Sequence, residues 1–389
     1  MTTEQEYLVR LSRAAILDEQ PPLPPDNIDW QYLWDKAREQ NLSGLLASKV
    51  TKLPKEKLPE NAQEWKHSMM QTAMLMGDRL DEFERMIEIL KENGIEPICV
   101  KGSVVKDLYP IPILRTMGDF DVWVEKAQRS EAEAIFEREG YTLDRNTLFS
   151  AIDMSGEINS FHWELFESLE DDFRESPAFW NDELRKNVIR DDEDRRVLSP
   201  TYELAYSVIH ASKHFTREGC GLRNLLDVAL ILRHRIQDID LDRAYEICAS
   251  QRYEKIYLYF LSAARKWYGI EFNYGAPLPE PDRFLEYLLS YGVFGRELDG
   301  KILAAQVVRR EGDDVSAIRR IFFPPRKMIW HKYQYVKKSP LLLPVAWVHR
   351  FCTAVFVKKY SIKDMASGLH DSLEYGHERE AWLDELDIQ

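Results

Sequence analysis

The residues best placed for chemistry are two aspartates in the stretch DFDVWV, where Asp119 and Asp121 are separated by one residue. Alternate side chains of a strand project to the same face, so these carboxylates should lie side by side, about 6–7 Å apart at their backbones. Two carboxylates at that distance repel each other unless a cation lies between them. Mg²⁺, or Mn²⁺ in its place, prefers oxygen ligands and commonly shares them with phosphates. The spacing therefore predicts a divalent metal site that also receives a polyphosphate.

The turn before this strand carries residues suited to a phosphate. Gly102 permits close backbone approach, Ser103 offers a hydroxyl, and the helix predicted after them presents amide hydrogens and the positive end of its dipole. Lys101 and Arg115 could add positive charge, and the guanidinium fork of Arg115 matches phosphate oxygens. The sequence thus predicts that one end of a sheet holds metal and triphosphate together.

Strand and helix signals alternate around these residues. IEPICV predicts a strand, SVVKDLY a short helix, DFDVWV a strand, RSEAEAIFEREG a helix, and LFSAIDMSGEINSFHWELFE two strands around a Ser-Gly turn. This order predicts an α+β fold, in which a mixed sheet is flanked by helices. Ser199 and Pro200 then mark the start of another helix.

We expect four regions along the 389 residues. They are a helical N-terminal region at 1–90, the α+β core at 91–198, a helical domain at 199–312 and a basic aromatic C-terminal region at 313–389. In the first region, DRLDEFERMIEILKENG has the apolar period of a helix with one buried face. The acidic stretch REGDDVS marks the boundary before the last region.

The order of strand, Gly-Ser turn, short helix and strand with D-x-D resembles the nucleotidyltransferase superfamily of DNA polymerase β. VKGSVVKDLYPIPILRTMGDFDVWV is more closely similar to an uncharacterised bacterial nucleotidyltransferase family, whose pattern has Leu-Lys-Gly, Leu-Tyr-Pro, an arginine and Gly-Asp-hydrophobic-Asp. The matching residues are Lys101, Gly102, Leu108, Tyr109, Pro110, Arg115, Gly118, Asp119 and Asp121. FHWELF at 161–166, HASKHF at 210–215 and GLRNLLDVALIL at 221–232 also fit, so the resemblance covers roughly residues 30–235.

The resemblance implies a polymerase β-like core that transfers a nucleoside monophosphate from a nucleoside triphosphate, usually ATP, to a hydroxyl or phosphate acceptor and releases pyrophosphate. In such a mechanism two Mg²⁺ ions bridge the attacking and leaving oxygens. The resemblance assigns the metals to Asp119 and Asp121. It assigns the triphosphate to Gly102 and Ser103.

The superfamily also has a third carboxylate on a neighbouring strand, and this chain departs from that pattern. The expected position is Ser160, whose hydroxyl is a poor metal ligand and no base at neutral pH. Alternation along the strand places Ser160, His162 and Glu164 on one face, so Glu164 or His162 could accept the acceptor's proton. Asp153 and Glu157, around the preceding turn, are less favoured substitutes.

Two i, i+4 pairs follow in the helical part of the chain. His210 and His214 could share a metal on a helix face, but no third ligand is apparent, and the resemblance favours a place beside the nucleotide phosphates. Arg223 and Asp227 could form an ion pair on a helix surface, or they could help to recognise the nucleotide or the acceptor.

Composition and charge narrow the setting. The net charge of −14 disfavours general affinity for nucleic acid, the four cysteines form no CxxC pair, and neither a secretory leader nor a membrane-spanning run is apparent, so we expect a cytoplasmic protein. Residues 315–363, however, hold eleven Lys or Arg and no Asp or Glu, among many aromatic residues. This segment could be a solvated face, an acceptor groove, or a contact with an anionic partner, either RNA or a membrane surface.

The sequence leaves two alternatives to nucleotidyl transfer. The same pocket could support kinase-like transfer of the terminal phosphoryl group, or Ser160 could mark an inactive nucleotide-binding or scaffold protein. Nothing in the sequence singles out the acceptor, the nucleotide or the oligomeric state.

Overall fold

The computed structural model describes residues 1–144, 153–155, 162–217 and 219–290, and in the C-terminal part residues 323–329, 333, 335–336, 339–353, 377, 380–381 and 383–386. The chain divides into two units, Met1–Phe294 and Gly295–Gln389. The first unit contains the sheet and the candidate site. The boundary that we expected at 312–313 lies outside the described residues.

Four helices open the first unit: α1 (Thr3–Leu17), α2 (Trp30–Glu39), α3 (Ser43–Val50) and α4 (Ala62–Glu92). Thr2 and Gln5 form a reciprocal capping box at the start of α1, because each side chain accepts the other residue's backbone N–H. The rings of Trp30 and Trp34 both pack edge-on against Trp65, which ties α2 to the first turns of α4. The predicted helix of residues 78–94 is therefore the last half of a longer, 31-residue helix.

Shorter helices follow: α5 (Gly102–Val105), α6 (Arg129–Arg138), α7 (Pro177–Lys186), α8 (Pro200–Arg217), α9 (Leu222–Arg235), α10 (Leu241–Ser250), α11 (Glu254–Tyr268) and α12 (Asp282–Ser290). The helix predicted to begin at Pro200 is confirmed as α8. The short helix predicted after Gly102 is a single α-helical turn, which continues as the 3₁₀ turn Lys106–Leu108.

Among the described residues, seven strands pair into one sheet: β1 (Ile98–Cys99), β2 (Asp119–Trp123), β3 (Thr142–Asp144), β4 (Asp153–Ser155), β5 (His162–Phe166), β6 (Val188–Arg190) and β7 (Arg196–Leu198). Their order is β3-β4-β5-β2-β1-β7-β6. The β2–β5 and β1–β7 pairs are parallel and the other neighbours are antiparallel. The predicted α+β class with a mixed sheet is confirmed, although the predicted turn between β4 and β5 lies outside the described residues.

One face of this sheet is covered by α4 and α6 through a cluster of aromatic rings. Phe83 of α4 stacks on Trp163 of β5 with ring centroids 5.4 Å apart, and Phe120 of β2 lies 4.8 Å from Phe83. Phe136 of α6 closes the cluster at 5.1 Å from Trp163. All four side chains are at most 1% exposed, so burial of their large apolar area fixes which face of β2 and β5 points inward.

The second unit contains α13 (Arg326–Ile329) and α14 (Leu343–Cys352). Ile329, Tyr333, Val336 and Ala346 form a small apolar cluster that holds these segments together. Among the helices that the structure describes in either unit, none has both the length and the apolar character needed to cross a bilayer.

Candidate active site

The parallel pairing of β2 and β5 sets the geometry of the site. Asp119 lies opposite His162 and Asp121 lies opposite Glu164 in the ladder. Partners in a parallel ladder share a face, so these four polar side chains lie on the face opposite to the aromatic core. His162 is exposed, whereas Asp121 is only 5% exposed and Glu164 is half-buried. The fold thus gathers acidic groups that the sequence separates by more than forty residues.

Asp121 and Glu164 are direct partners in the β2–β5 ladder, and each carboxyl group perturbs the pKa of the other. Burial and the neighbouring Asp121 raise the pKa of Glu164 to about 8, so Glu164 holds a proton at neutral pH. Burial also raises the pKa of Asp121, while the Lys101 charge opposes that rise. One proton between two carboxyl groups relieves the repulsion that two full charges would cause.

Lys101 lies at the centre of this acidic face. Its Nζ donates to Oδ1 of Asp121 at 2.8 Å and lies 4.8 Å above the ring of Phe166. Burial lowers the pKa of Lys101, but Asp121, Asp172 and Glu164 outweigh it, so the pKa is raised and the ammonium stays charged. The backbone of Lys101 has φ +56° and ψ −130°, a region that non-glycine residues rarely adopt. The backbone is therefore locally strained at the residue whose ammonium group contacts Asp121.

This arrangement is chemically suited to a divalent cation. The ammonium of Lys101 and the proton on Glu164 supply two positive charges to a face that carries Asp119, Asp121 and Glu164. A Mg²⁺ ion supplies the same two charges, and carboxylate oxygens are the ligands that it prefers. In the arrangement that the structure shows, however, the described His, Cys, Asp and Glu side chains form no group of three or more with metal-binding geometry. The donor set fits the ion, but Lys101 and a proton partly neutralise its negative charge.

The Gly-Ser turn is tied to the strands by buried contacts. The Ser103 hydroxyl is 1% exposed and donates to the carbonyl oxygen of Val100 at 2.7 Å and, more weakly, to that of Asp121 at 3.3 Å. A Cβ on Gly102 would lie 2.7 Å from Nη1 of Arg115 and 3.1 Å from Sδ of Met117. In this structure Ser103 closes the turn, and the absence of a side chain at Gly102 makes room for the guanidinium of Arg115.

Arg115 is committed to a buried ion pair. Its Nε and Nη2 donate to the two carboxylate oxygens of Asp227 at 3.0 and 2.7 Å, and the Tyr109 hydroxyl donates to the same carboxylate at 2.7 Å. Arg223, expected to pair with Asp227 on a helix surface, is half-buried and donates from Nη1 to the carbonyl oxygen of Thr116 at 2.8 Å. The helix-surface interpretation is wrong, because Asp227 is 9% exposed and faces the segment that leads into β2.

A second polar cluster is centred on Asp172, which sequence reasoning missed. The Asp172 carboxylate accepts from the Tyr206 hydroxyl at 2.6 Å and from Nζ of Lys213 at 2.5 Å, and Nδ1 of His210 lies 3.4 Å away. His214 then contacts His210, with 3.1 Å between their Nε2 atoms. Asp172 falls in the acidic run LEDDF, which is typical of a solvated turn, so the sequence holds no signal that this carboxylate is 7% exposed.

Electrostatic coupling joins the two clusters. Burial works against ionisation of Asp172, but His210, Lys101 and Lys213 hold its pKa well below the usual range. Burial and the Lys101 charge lower the pKa of His210 to about 3, so its ring is neutral at pH 7. Lys101 thus couples electrostatically to both the Asp121 cluster on the sheet and the Asp172 cluster beside α8.

A cavity of about 920 Å³ lies between residues 236–242 and 269–275, and none of the residues of these two clusters lines it.

The predicted site residues therefore separate into groups. Asp119, Asp121, His162, Glu164 and Lys101 meet on one face of the sheet. His210 and His214 lie on α8 beside Asp172. Gly102, Ser103 and Arg115 support the turn from within. Ser160 and Glu157 lie outside the described residues. The backbone of Asp153 is described as part of β4, but its side chain is not.

The fold and this acidic face define an α+β protein with a charged site on one face of a mixed sheet. The chain belongs to a family described as uncharacterised nucleotidyltransferases, whose model matches residues 26–269. The match includes α2 to α11 and all seven strands, and hence every described residue of the site. Comparison with curated proteins and with solved structures found no match.

Proposed function

We propose that this protein is a Mg²⁺-dependent nucleotidyltransferase. It would move the nucleoside monophosphate of an NTP, with ATP as the expected donor, to an acceptor hydroxyl or phosphate and release pyrophosphate. The observation that carries the proposal is the pairing of Asp121 with Glu164 across neighbouring parallel strands, with Asp119 beside them and Lys101 in contact. Membership of the family supports nucleotidyl transfer in general.

Asp119, Asp121 and Glu164 are the residues that would hold Mg²⁺. When bound, the ion would neutralise the triphosphate and polarise the phosphoryl oxygens. Glu164 is the best candidate for the carboxylate that Ser160 lacks, because the ladder places it directly opposite Asp121. The proton that Glu164 holds near neutral pH also makes it the group best able to exchange a proton with the acceptor. His162, opposite Asp119 and exposed, is the second candidate for that role.

Lys101 would bind the phosphates as a fixed positive charge. Its pKa is raised, so the ammonium does not lose its proton near neutral pH. The Phe166 ring and the left-handed backbone limit the directions in which the side chain can point. Fixed charge in a partly dry site stabilises developing negative charge more strongly than the same charge in water.

His210 would act on the nucleotide or the acceptor through His214, because both ring nitrogens of His210 are engaged within the cluster. Asp172 is ionised, so it accepts from the Nδ1–H of His210, which leaves Nε2 of His210 as an acceptor. Nε2 of His214 must then donate to it across the 3.1 Å contact. Asp172 thereby sets the tautomers of both rings, as a carboxylate commonly does for a functional histidine.

The experiment follows the α-phosphate and the γ-phosphate of ATP in separate reactions. The protein is incubated with Mg²⁺, a cell extract as acceptor source, and ATP labelled at either the α- or the γ-phosphate. We expect α-label in an acid-stable product with release of pyrophosphate. Asp121→Asn and Glu164→Gln should reduce this transfer by about 10²-fold or more, the usual effect of removing one group that stabilises transition-state charge. Glu167→Gln is the matched control, because Glu167 follows the same strand but pairs with Arg129 at 3.1 Å.

Circular dichroism and calorimetric titration with ATP and Mg²⁺ accompany each variant. Transfer of γ-label with formation of ADP would make the protein a kinase. Tight nucleotide binding without either product would support the scaffold alternative. Unchanged α-label transfer in folded Asp121→Asn would remove the basis of the proposal.

A further inference from the structure

A row of exposed apolar side chains runs along α14 and the turn before it. Leu341, Val345, Val348 and Phe351 are 88, 53, 64 and 49% exposed. Their spacing of four, three and three residues places them on one side of a helix. The opposite side is occupied, because Ala346 is buried among Ile329, Tyr333 and Val336 of the same unit. This row, which we call the apolar row, is therefore a second apolar face that the small core of the unit does not use.

The apolar row lies within a strongly basic segment. Residues 315–363 carry eleven Lys or Arg and no Asp or Glu, whereas the rest of the chain carries about −25. Single exposed apolar residues are common on protein surfaces, but several in one row mark a contact site. An apolar helix face within a sequence segment rich in Lys and Arg is typical of segments that lie in the interface of an anionic bilayer.

The packing of the aromatic rings favours lipid over RNA. The indole N–H of Trp347 donates to the carbonyl oxygen of Pro324 at 2.9 Å, and its ring packs edge-on against Phe323 at 5.2 Å. Tyr333 is 5% exposed, and Tyr335 stacks on His349. Binding of single-stranded RNA relies on several open aromatic faces, whereas three of the four side chains in the apolar row are aliphatic. The exposed phenylalanine rings of the described C-terminal residues are Phe323 and Phe351, at 54 and 49%. A phosphate backbone offers no apolar surface to cover it, whereas the acyl boundary of a bilayer does.

We propose that the C-terminal unit binds the surface of an anionic phospholipid bilayer. The axis of α14 would lie in the membrane plane, with the apolar row entering the acyl boundary, and the net positive charge of segment 315–363 would attract the anionic headgroups. Ten residues of helix are too few to span a bilayer, which agrees with the absence of a spanning helix from the described part of the chain. The inference does not depend on nucleotidyl transfer, since no residue of the acidic site takes part.

Vesicle sedimentation tests this inference with the full-length protein. Vesicles of phosphatidylcholine are compared with vesicles that contain about 30% phosphatidylglycerol, at about 50 and 500 mM NaCl. We expect binding to the anionic vesicles, weakened at high salt and absent or at least tenfold weaker for phosphatidylcholine. The double variant Val345→Glu with Val348→Glu should bind at least about tenfold more weakly, because it removes apolar area and adds negative charge.

Leu23→Glu is the matched control, because Leu23 is 61% exposed but lies in the first unit. Its binding should equal that of the wild type. All three substituted side chains are exposed, so the thermal unfolding transitions should coincide and exclude misfolding as the cause of any loss. Equal vesicle binding by the double variant and the wild type would overturn the proposal. Failure to bind anionic vesicles would also overturn it. Binding to polyuridylate, a single-stranded RNA, in place of the vesicles would show that the partner is RNA.

Discussion

Asp227→Ala is the substitution whose effect the structure predicts most directly. Asp227 receives two hydrogen bonds from Arg115 and one from Tyr109, and Arg115 is 6% exposed. Removal of the carboxylate leaves a buried guanidinium and a buried phenol without an acceptor. The folded state must then either hold an uncompensated charge or open to admit water.

The size of the effect follows from this burial. Breaking a buried ion pair by removing one partner costs about 3–5 kcal/mol, because the remaining charge stays desolvated. The unpaired phenol of Tyr109 adds about 1 kcal/mol or more. We therefore expect the free energy of unfolding to fall by about 4 kcal/mol or more. Equilibrium urea unfolding followed by tryptophan fluorescence measures this change as a shift of the midpoint.

Two further variants separate the ion pair from its surroundings. Arg115→Met combined with Asp227→Leu should recover most of the loss, because an apolar pair of similar volume leaves no buried charge. Asp26→Ala is the control, since that carboxylate is 89% exposed beside Lys57 and its loss should cost less than about 0.5 kcal/mol. A cost below about 1 kcal/mol for Asp227→Ala would refute the structural role of the pair. Lost ATP binding in a stable double variant, Arg115→Met with Asp227→Leu, would indicate that Arg115 contacts the nucleotide.

Three more predictions concern pH and packing. The raised pKa of Glu164, about 8, means that the folded state keeps a proton that the unfolded chain loses near 4.5. In metal-free buffer this contribution to the free energy of unfolding is present at low pH and is lost as the pH rises from about 4.5 to about 8, by at most about 1.4 kcal/mol per pH unit. Urea unfolding at several pH values should show that Glu164→Gln removes this pH dependence. Identical pH profiles for the variant and the wild type would contradict the prediction. His210 acts in the opposite sense, because its pKa in the folded state is lowered to about 3, whereas the unfolded chain gains this proton below about 6.5. The free energy of unfolding should therefore fall as the pH drops below 6.5, and His210→Gln should make this fall shallower. An equally steep fall in the variant would show that the ring is charged in the folded state. Gly102→Ala should cost about 1–3 kcal/mol in thermal or urea unfolding, since the new methyl group would displace Arg115. Gly77→Ala is the control for Gly102→Ala, because a Cβ added at Gly77 would have no neighbour within 4 Å. Equal effects at the two sites would count against the packing argument.

The sequence predicted the parts of the fold that local patterns determine. Alternation predicted the strand that is now β2, and the capping signal at Pro200 predicted the start of α8. β6 and β7 have three residues each, which is too short for a period of two to be visible. The helix after Gly102 stops after one α-helical turn, because Val105 leads into a 3₁₀ turn before Pro110.

Local geometry alone predicts the candidate site only where a single strand carries it, and the resemblance was needed to bring Glu164 and His162 to the same site. Asp119 and Asp121 share a face by local geometry, so their placement needs no tertiary information. The pairing of Arg115 with Asp227 joins residues 112 positions apart, and nothing in either local pattern indicates it. Asp172 was hidden for the same reason, since its partners lie on α8 and its own segment has the composition of a surface turn.

The length of α4 has a consequence for how the first unit can be divided. This helix has 31 residues and is about 46 Å long. Trp65, near its start, is enclosed by tryptophans of α2, and Phe83, about five turns further along the helix, is stacked on the sheet on the side opposite to the acidic residues. A truncated protein that began after residue 60 would expose the ring of Trp65 to water, and one that began after residue 90 would uncover the sheet. The amino-terminal helices are thus an inseparable part of the first unit, and a shorter stable fragment should be sought by trimming elsewhere.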